Sequence, residues 1–400
     1  MQGLIGPLKE LAEFEELCKN KKKDVGMIRV CGCVNSQKSH MMYALGDGCK
    51  YKVIACSSET KAKQIYEEYR FLDSNTYLYP AKDFLFYQAD IRSKELIKQR
   101  MEGIQAVLSG EPVTVVTSLD GFMDHLAPKE SIAEKVLKVQ NDSVLKLDEM
   151  AEKLSVIGYD REVQVEGPGQ FAVRGGILDI YPLTEELPVR IELWGDEVDS
   201  IRTFDVESQR SIENLMDIVI YPAVEFPQNG EKGVSFLDYF PPEDTILFLD
   251  EPVRLVERGQ NIEDEFMEAQ KKRLESGYDL EEEEAKIFPV TEILKKINCY
   301  SSIGFYALGM KCKGLEVRES YEIQAKSVNP YNNSFEMLTQ DLKRLKRNGY
   351  RVILLSGSRT RAKRLAEDLR DYNLSSYYSE DLDREVKPGE IMTAYGYIAE

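Results

Sequence analysis

The spacing of apolar and polar positions gives the chain two alternating textures. Up to about Pro128, short apolar runs alternate with helical periods. "GMIRVCGCV" (26–34) reads as a strand and "KSHMMYALGDG" (38–48) as a helix closed by glycines. "YKVIACS" (51–57) is a strand and 58–72 a helix capped by Ser58. "NTYLYP" follows, then a long amphipathic helix over 93–110 stopped by Gly110, and the buried strand "PVTVVTS". Such alternation predicts a parallel sheet covered on both faces. From Lys129 the texture changes. After a helix around Ser143 to Leu154, residues 161–205 form period-two runs broken by Gly-Pro, Gly-Gly and Gly-Asp, the pattern of an antiparallel β-rich module inserted into an α/β chain. The first texture returns with "DTILFLDEP", a charged helix over 253–276 and further strands up to about Lys326. "SVNPYNNS" (327–334) reads as a linker, and after it comes one more helix–strand–helix unit. The chain stops at "EIMTAYGYIAE" in a strand, so this last small domain is expected to be truncated.

Composition narrows the class. Of 400 residues, 42% are apolar and 30% charged, which suits a soluble globular chain of two or three domains. The net charge of -18 sets the surface as a whole against a nucleic-acid backbone, so DNA contact would have to be local. The basic cluster at Lys343–Arg351, with "RTRAKR" after it, is the one candidate; it reads as the solvated face of two helices. Seven cysteines without a C-x-x-C are expected as free thiols, with Cys31 and Cys33 as small buried residues. Two histidines rule out His-rich zinc sites and disfavour a Ser-His-Asp triad; His40 is expected at the surface or in packing. Glu281–Glu284 reads as a solvated run rather than a metal site. No window approaches eighteen apolar residues, so neither signal peptide nor membrane span is expected.

One stretch, "GCVNSQKSHMM", is a letter away from a phosphate-binding loop. In G-x-x-x-x-G-K-[ST], Gly32, Lys38 and Ser39 are in register, and Gln37 stands in place of the second glycine. That glycine lets the backbone close around a phosphate; a glutamine puts a Cβ and an amide into the space. "ILFLDEP" supplies Asp250 and Glu251, the form expected of magnesium and water-activating carboxylates. Two partial motifs in this chain order point to a RecA-like nucleotide-binding scaffold that has lost hydrolysis. The alternative is an ATPase that still holds nucleotide through Lys38, Ser39, Asp250 and Glu251.

The β-rich stretch offers a different chemistry. In "VRIELWG", period two puts Val189, Ile191 and Leu193 on one face and Arg190, Glu192 and Trp194 on the other. In "FAVRGG", Phe171 and Val173 oppose Ala172 and Arg174, before a Gly-Gly bulge or tight bend. If these strands are neighbours, Arg174, Arg190 and Trp194 form one patch. An exposed Trp beside Arg has the composition of a protein-binding hot spot. Residue types alone leave open a Trp194 covered by its own chain and an Arg190 paired with Glu192 or a nearby Asp.

Residues 171–215 resemble the signature shared by the excision-repair protein UvrB and the bacterial transcription-repair coupling factor (Mfd), in the module with which both bind UvrA. Residues 79–130 resemble the flanking amino-terminal part of the coupling factors. Two departures separate the chain from UvrB: only a short connection fits between Tyr79-Pro80 and Arg92, where UvrB carries a long hairpin, and Gln37 interrupts the loop. The resemblance implies a RecA-like parallel-sheet scaffold (1–128 and 223–328), an inserted β-rich (α+β) domain (129–222) and a small α/β domain (329–400). It implies UvrA as partner, met by Arg174, Arg190 and Trp194, the last standing where phenylalanine is usual. Glu192 is a weaker candidate that would orient Arg190 or meet a basic group. Removing both arginines is expected to leave thermal unfolding nearly unchanged. The resemblance further implies no cofactor, metal or catalytic residue in this segment. ATP and Mg2+, RNA polymerase and double-stranded DNA would belong to parts beyond residue 400, in a bacterial cytoplasmic protein.

Overall fold

The computed structural model describes residues 2–21, 24–82, 94–228, 230–277, 287–307, 309–310, 312–328, 331 and 334–396. Most of the Pro80 to Arg92 connection and all of Glu281–Glu284 lie outside these residues, as do parts of 327–334 and the last four positions. The chain forms two units, Met1–Thr76 with Pro242–Glu257 and Leu294–Glu400, and Tyr77–Pro241 with Arg258–Ile293.

In the first unit five strands lie side by side in the order Val317–Glu322, Gly26–Cys31, Ser301–Tyr306, Thr245–Asp250, Tyr51–Cys56, each pair parallel. Thr245–Asp250 is buried at every position, as a central strand covered on both faces must be. Helix Glu59–Leu72 starts where expected, with the Ser58 hydroxyl accepting the Lys61 N–H. Helix Asn35–Leu45 does not: it begins three residues ahead of Lys38. The imidazole of His40 lies 2.8 Å from the Leu4 carbonyl oxygen, so this histidine packs the amino-terminal segment, and burial lowers its pKa. A separate parallel sheet, in the order Val352–Ser356, Ile391–Tyr395, Ser376–Tyr378, carries helices Phe335–Arg347 and Arg359–Asp371. Lys343, Arg344 and Arg347 are exposed on it.

The second unit holds the β-rich module. Its sheet has six strands in the order Ser211–Leu215, Glu197–Phe204, Val189–Trp194, Ile177–Tyr181, Gln170–Arg174, Asp160–Arg161, antiparallel except for the last pair. Phe171, Leu178, Ile180, Val189, Ile191, Val198 and Ile201 point inward onto helix Leu147–Val156. That helix starts later than the sequence predicts. Asp142 takes a left-handed φ of 61°, the Ser143 hydroxyl donates to the Gln140 carbonyl, and Val144 bridges Glu197, so residues 142–145 serve the sheet instead. The parallel sheet with its helices and this antiparallel sheet together form the expected α/β scaffold with a β-rich module.

Elsewhere in the second unit Arg100, fully buried on helix Lys94–Leu108, donates to both carboxylate oxygens of Glu225 (2.7 and 2.9 Å), to Asp124 (2.7 Å) and to the Pro80 carbonyl (2.7 Å). Lys82 adds a second cation to Glu225 and Asp124. All seven cysteines are free, and burial pushes the Cys33 thiol up to about 12. Among the described residues no helix is long and apolar enough to cross a membrane.

Candidate docking face and phosphate loop

The Gly175-Gly176 turn closes a hairpin with Arg174 opposite Ile177, and Gly175 takes the positive φ (60°) that such a two-residue turn requires. Strand Ile177–Tyr181 therefore lies between the strands of Arg174 and Arg190, which are not neighbours. The arginines meet all the same. Asp179, opposite both Ala172 and Arg190 in the ladder, is 1% exposed and takes both guanidiniums: Arg190 through two bonds (2.6 and 2.9 Å), Arg174 through one. Asp179 is the residue the sequence reading missed. It was legible in "FAVRGGILDIY", since a two-residue turn places it on the outward face diagonal to Arg174.

Arg190 is less available than its residue type implied. Its side chain is 14% exposed, stacked over the buried Phe204 ring at 4.4 Å and bonded to Gln209 Oε1 at 2.9 Å. Arg174 is 44% exposed and Trp194 is 84% exposed, so the indole is not covered by its own chain. Glu192 makes no hydrogen bond or ion pair with Arg190 among the described residues. It pairs with Arg202 from the next strand and also accepts from the Ser200 hydroxyl, because Ser200 lies opposite it in the ladder and Arg202 diagonal to it. All four candidates share the outward face; Arg190 and Glu192 are committed within it, while Arg174 in part and Trp194 almost wholly face solvent.

The phosphate-loop region of the first unit is built differently from its motif. Because the helix starts at Asn35, the N–H groups of Gln37 and Lys38 are both spent on the Val34 carbonyl (3.0 and 3.2 Å). Gly32 has φ +84°, and a Cβ there would run into the Ile323 carbonyl oxygen, so its glycine is demanded by an adjoining backbone. Lys38 is 3% exposed and donates to Asp250 and Glu251, both at 2.7 Å. Burial works against its ammonium, but the two carboxylates outweigh burial and raise its pKa. Ser39 donates to the buried Glu68 at 2.6 Å. Lys38, Ser39, Asp250 and Glu251 thus satisfy one another or their neighbours, and Gln37 Oε1 is buried without a partner among the described residues.

Residues 137–226 match the family model described as the UvrB interaction domain. The β-rich module carries that signature. The match spans its antiparallel sheet and the helix beneath it, and so takes in Arg174, Asp179, Arg190 and Trp194. Over most of its length the chain is also similar to curated transcription-repair coupling factors. It is 25% identical to that of Bacillus subtilis (strain 168), over 92% of this chain and 36% of the relative. It is 23% identical to that of Staphylococcus haemolyticus, over 82% of this chain and 32% of the relative. A shorter stretch, 40% of this chain and 14% of the relative, is 32% identical to that of Haemophilus influenzae. The likeness to the amino-terminal region of the coupling factors read from the sequence is thus shown; the chain spans about a third of the length of the first two of these relatives.

Proposed function

We propose that this chain is the partner-docking, amino-terminal part of a bacterial transcription-repair coupling factor, and that the outward face of the UvrB-interaction-like sheet binds UvrA. The observation that carries the reading is Trp194, 84% exposed on the same sheet face as Arg174 and the most exposed aromatic side chain among the described residues. A large apolar ring held by a rigid strand, beside a half-exposed guanidinium, makes a strong protein anchor. Arg190 acts through Asp179, holding the carboxylate that aims Arg174, and Glu192 with Arg202 forms the neutral rim. In a titration of purified UvrA, Trp194→Ala is expected to weaken binding at least about 30-fold. Equal affinity of the two proteins would overturn the reading.

The phosphate loop supports a scaffold role without ATP hydrolysis, because Lys38 is neutralised by the carboxylates that would hold magnesium. ATP and Mg2+, RNA polymerase and double-stranded DNA would be engaged by the remainder of a longer coupling factor, in the cytoplasm. On this proposal the chain is the part that joins stalled transcription to excision repair.

A further inference from the structure

We infer that Val144 and Glu197 extend the docking face, and that the partner meets them with an apolar pocket rimmed by basic groups; this rests on the docking reading above. The ladder places residues in rows across the outward face. One row is Arg174, Ile177, Glu192, Ser200. The next is Trp194, Glu197, Val144, since Glu197 is opposite Trp194 on one side and bridged to Val144 on the other. Directly opposed residues point the same way, so all three side chains stand on the side that carries Arg174. Two strand spacings, about 10 Å, separate Val144 from Trp194, within the reach of a single partner surface.

Three observations make this row a binding feature. Val144 is 77% exposed, a β-branched apolar residue in a strand-like segment. The row is rigid, because the residues alternating with it, Leu145, Leu193 and Val198, are packed into the module core beneath. Ordering costs on association are small for such a surface. Charge gives the partner's chemistry. Asp179 and Glu192 are neutralised by arginines, whereas the Glu197 carboxylate makes no hydrogen bond or ion pair among the described residues. Asp142, Asp196 and Asp199 stand exposed around it, and the adjacent Lys146 is paired with Glu149. An apolar pair straddling an unpaired carboxylate, at an acidic edge, fits a pocket whose rim carries lysine or arginine.

The test is a titration of purified UvrA with the whole chain at low and moderate salt. Val144→Ala is expected to weaken binding about fivefold, Val144→Arg at least about 30-fold, and Glu197→Lys at least about tenfold, the last loss shrinking as salt rises. Both residues are exposed, so the melting curves of all three variants should match that of the unsubstituted chain. Normal affinity for Val144→Arg and Glu197→Lys, with Trp194→Ala weakened, would overturn this inference and leave the docking reading standing. If UvrA ignores Trp194→Ala as well, or does not bind the unsubstituted chain, the docking reading falls and this inference with it.

Discussion

Arg174 and Arg190 occupy the same sheet face and share one carboxylate, yet their removal should differ. Arg190→Ala strips a buried Asp179 of its two-bond partner and uncovers Phe204, and is expected to cost about 2–4 kcal/mol of stability. Arg174→Ala leaves that pair in place and, at a half-exposed site, should cost about 1 kcal/mol or less. Thermal melts of the two single variants check the difference, and similar midpoints would contradict the roles given to them. On the same ground the double variant is expected to melt lower, in place of the nearly unchanged unfolding expected from the sequence. Period two in "VRIELWG" correctly separated the inward trio from Arg190, Glu192 and Trp194, because one strand over one core obeys a local rule. Which partner each charge takes is decided across strands. Arg202 comes to Glu192 from a strand that "VRIELWG" does not contain, and no spacing within that segment reveals it.

At the scale of elements, the same contrast separates strands from helix starts. Buried strands such as "PVTVVTS" and the Ser58-capped helix were legible because apolar runs and caps are local signals. The helical period starts a helix at Lys38, whereas the helix begins at Asn35, within the letters of a phosphate loop that this chain does not form. The pattern also starts a helix at about Ser143, whereas the neighbouring Val144 pairs with Glu197, more than fifty positions away in the chain, and the helix begins only at Leu147. The early helix start bears on a simple repair of the motif. Gln37→Gly restores the letters of the phosphate loop but not its amides, which remain bound to Val34, and Lys38 remains clamped. It is expected to show no micromolar affinity for ATP with magnesium and to lose about 1 kcal/mol of helix stability. Micromolar binding in an equilibrium titration with labelled nucleotide would refute this account.

For the molecule as a whole, an excess of eighteen negative charges makes the few buried cations decisive. Burial alone would raise the Glu225 carboxyl; Arg100 and Lys82 outweigh burial and hold it below its ordinary value of 4.5. A carboxyl lowered in the folded state contributes fully above that ordinary value, and the contribution is lost as pH falls from there toward the folded value. The melting midpoint is therefore expected to drop as pH falls below about 4.5, and Glu225→Gln to be less stable at neutral pH but to decline less steeply on acidification. Parallel slopes for the two proteins would remove Glu225 from the explanation. Lys38 has a consequence of another kind. A lysine that finds its counter-ions in Asp250 and Glu251 draws on nothing dissolved around it, so the stability it lends cannot follow the level of any solute by mass action. On the scaffold role proposed above, this clamp would keep the fold equally firm in a well-fed cell and in a starved one, as a landing surface needed whenever damage occurs would require.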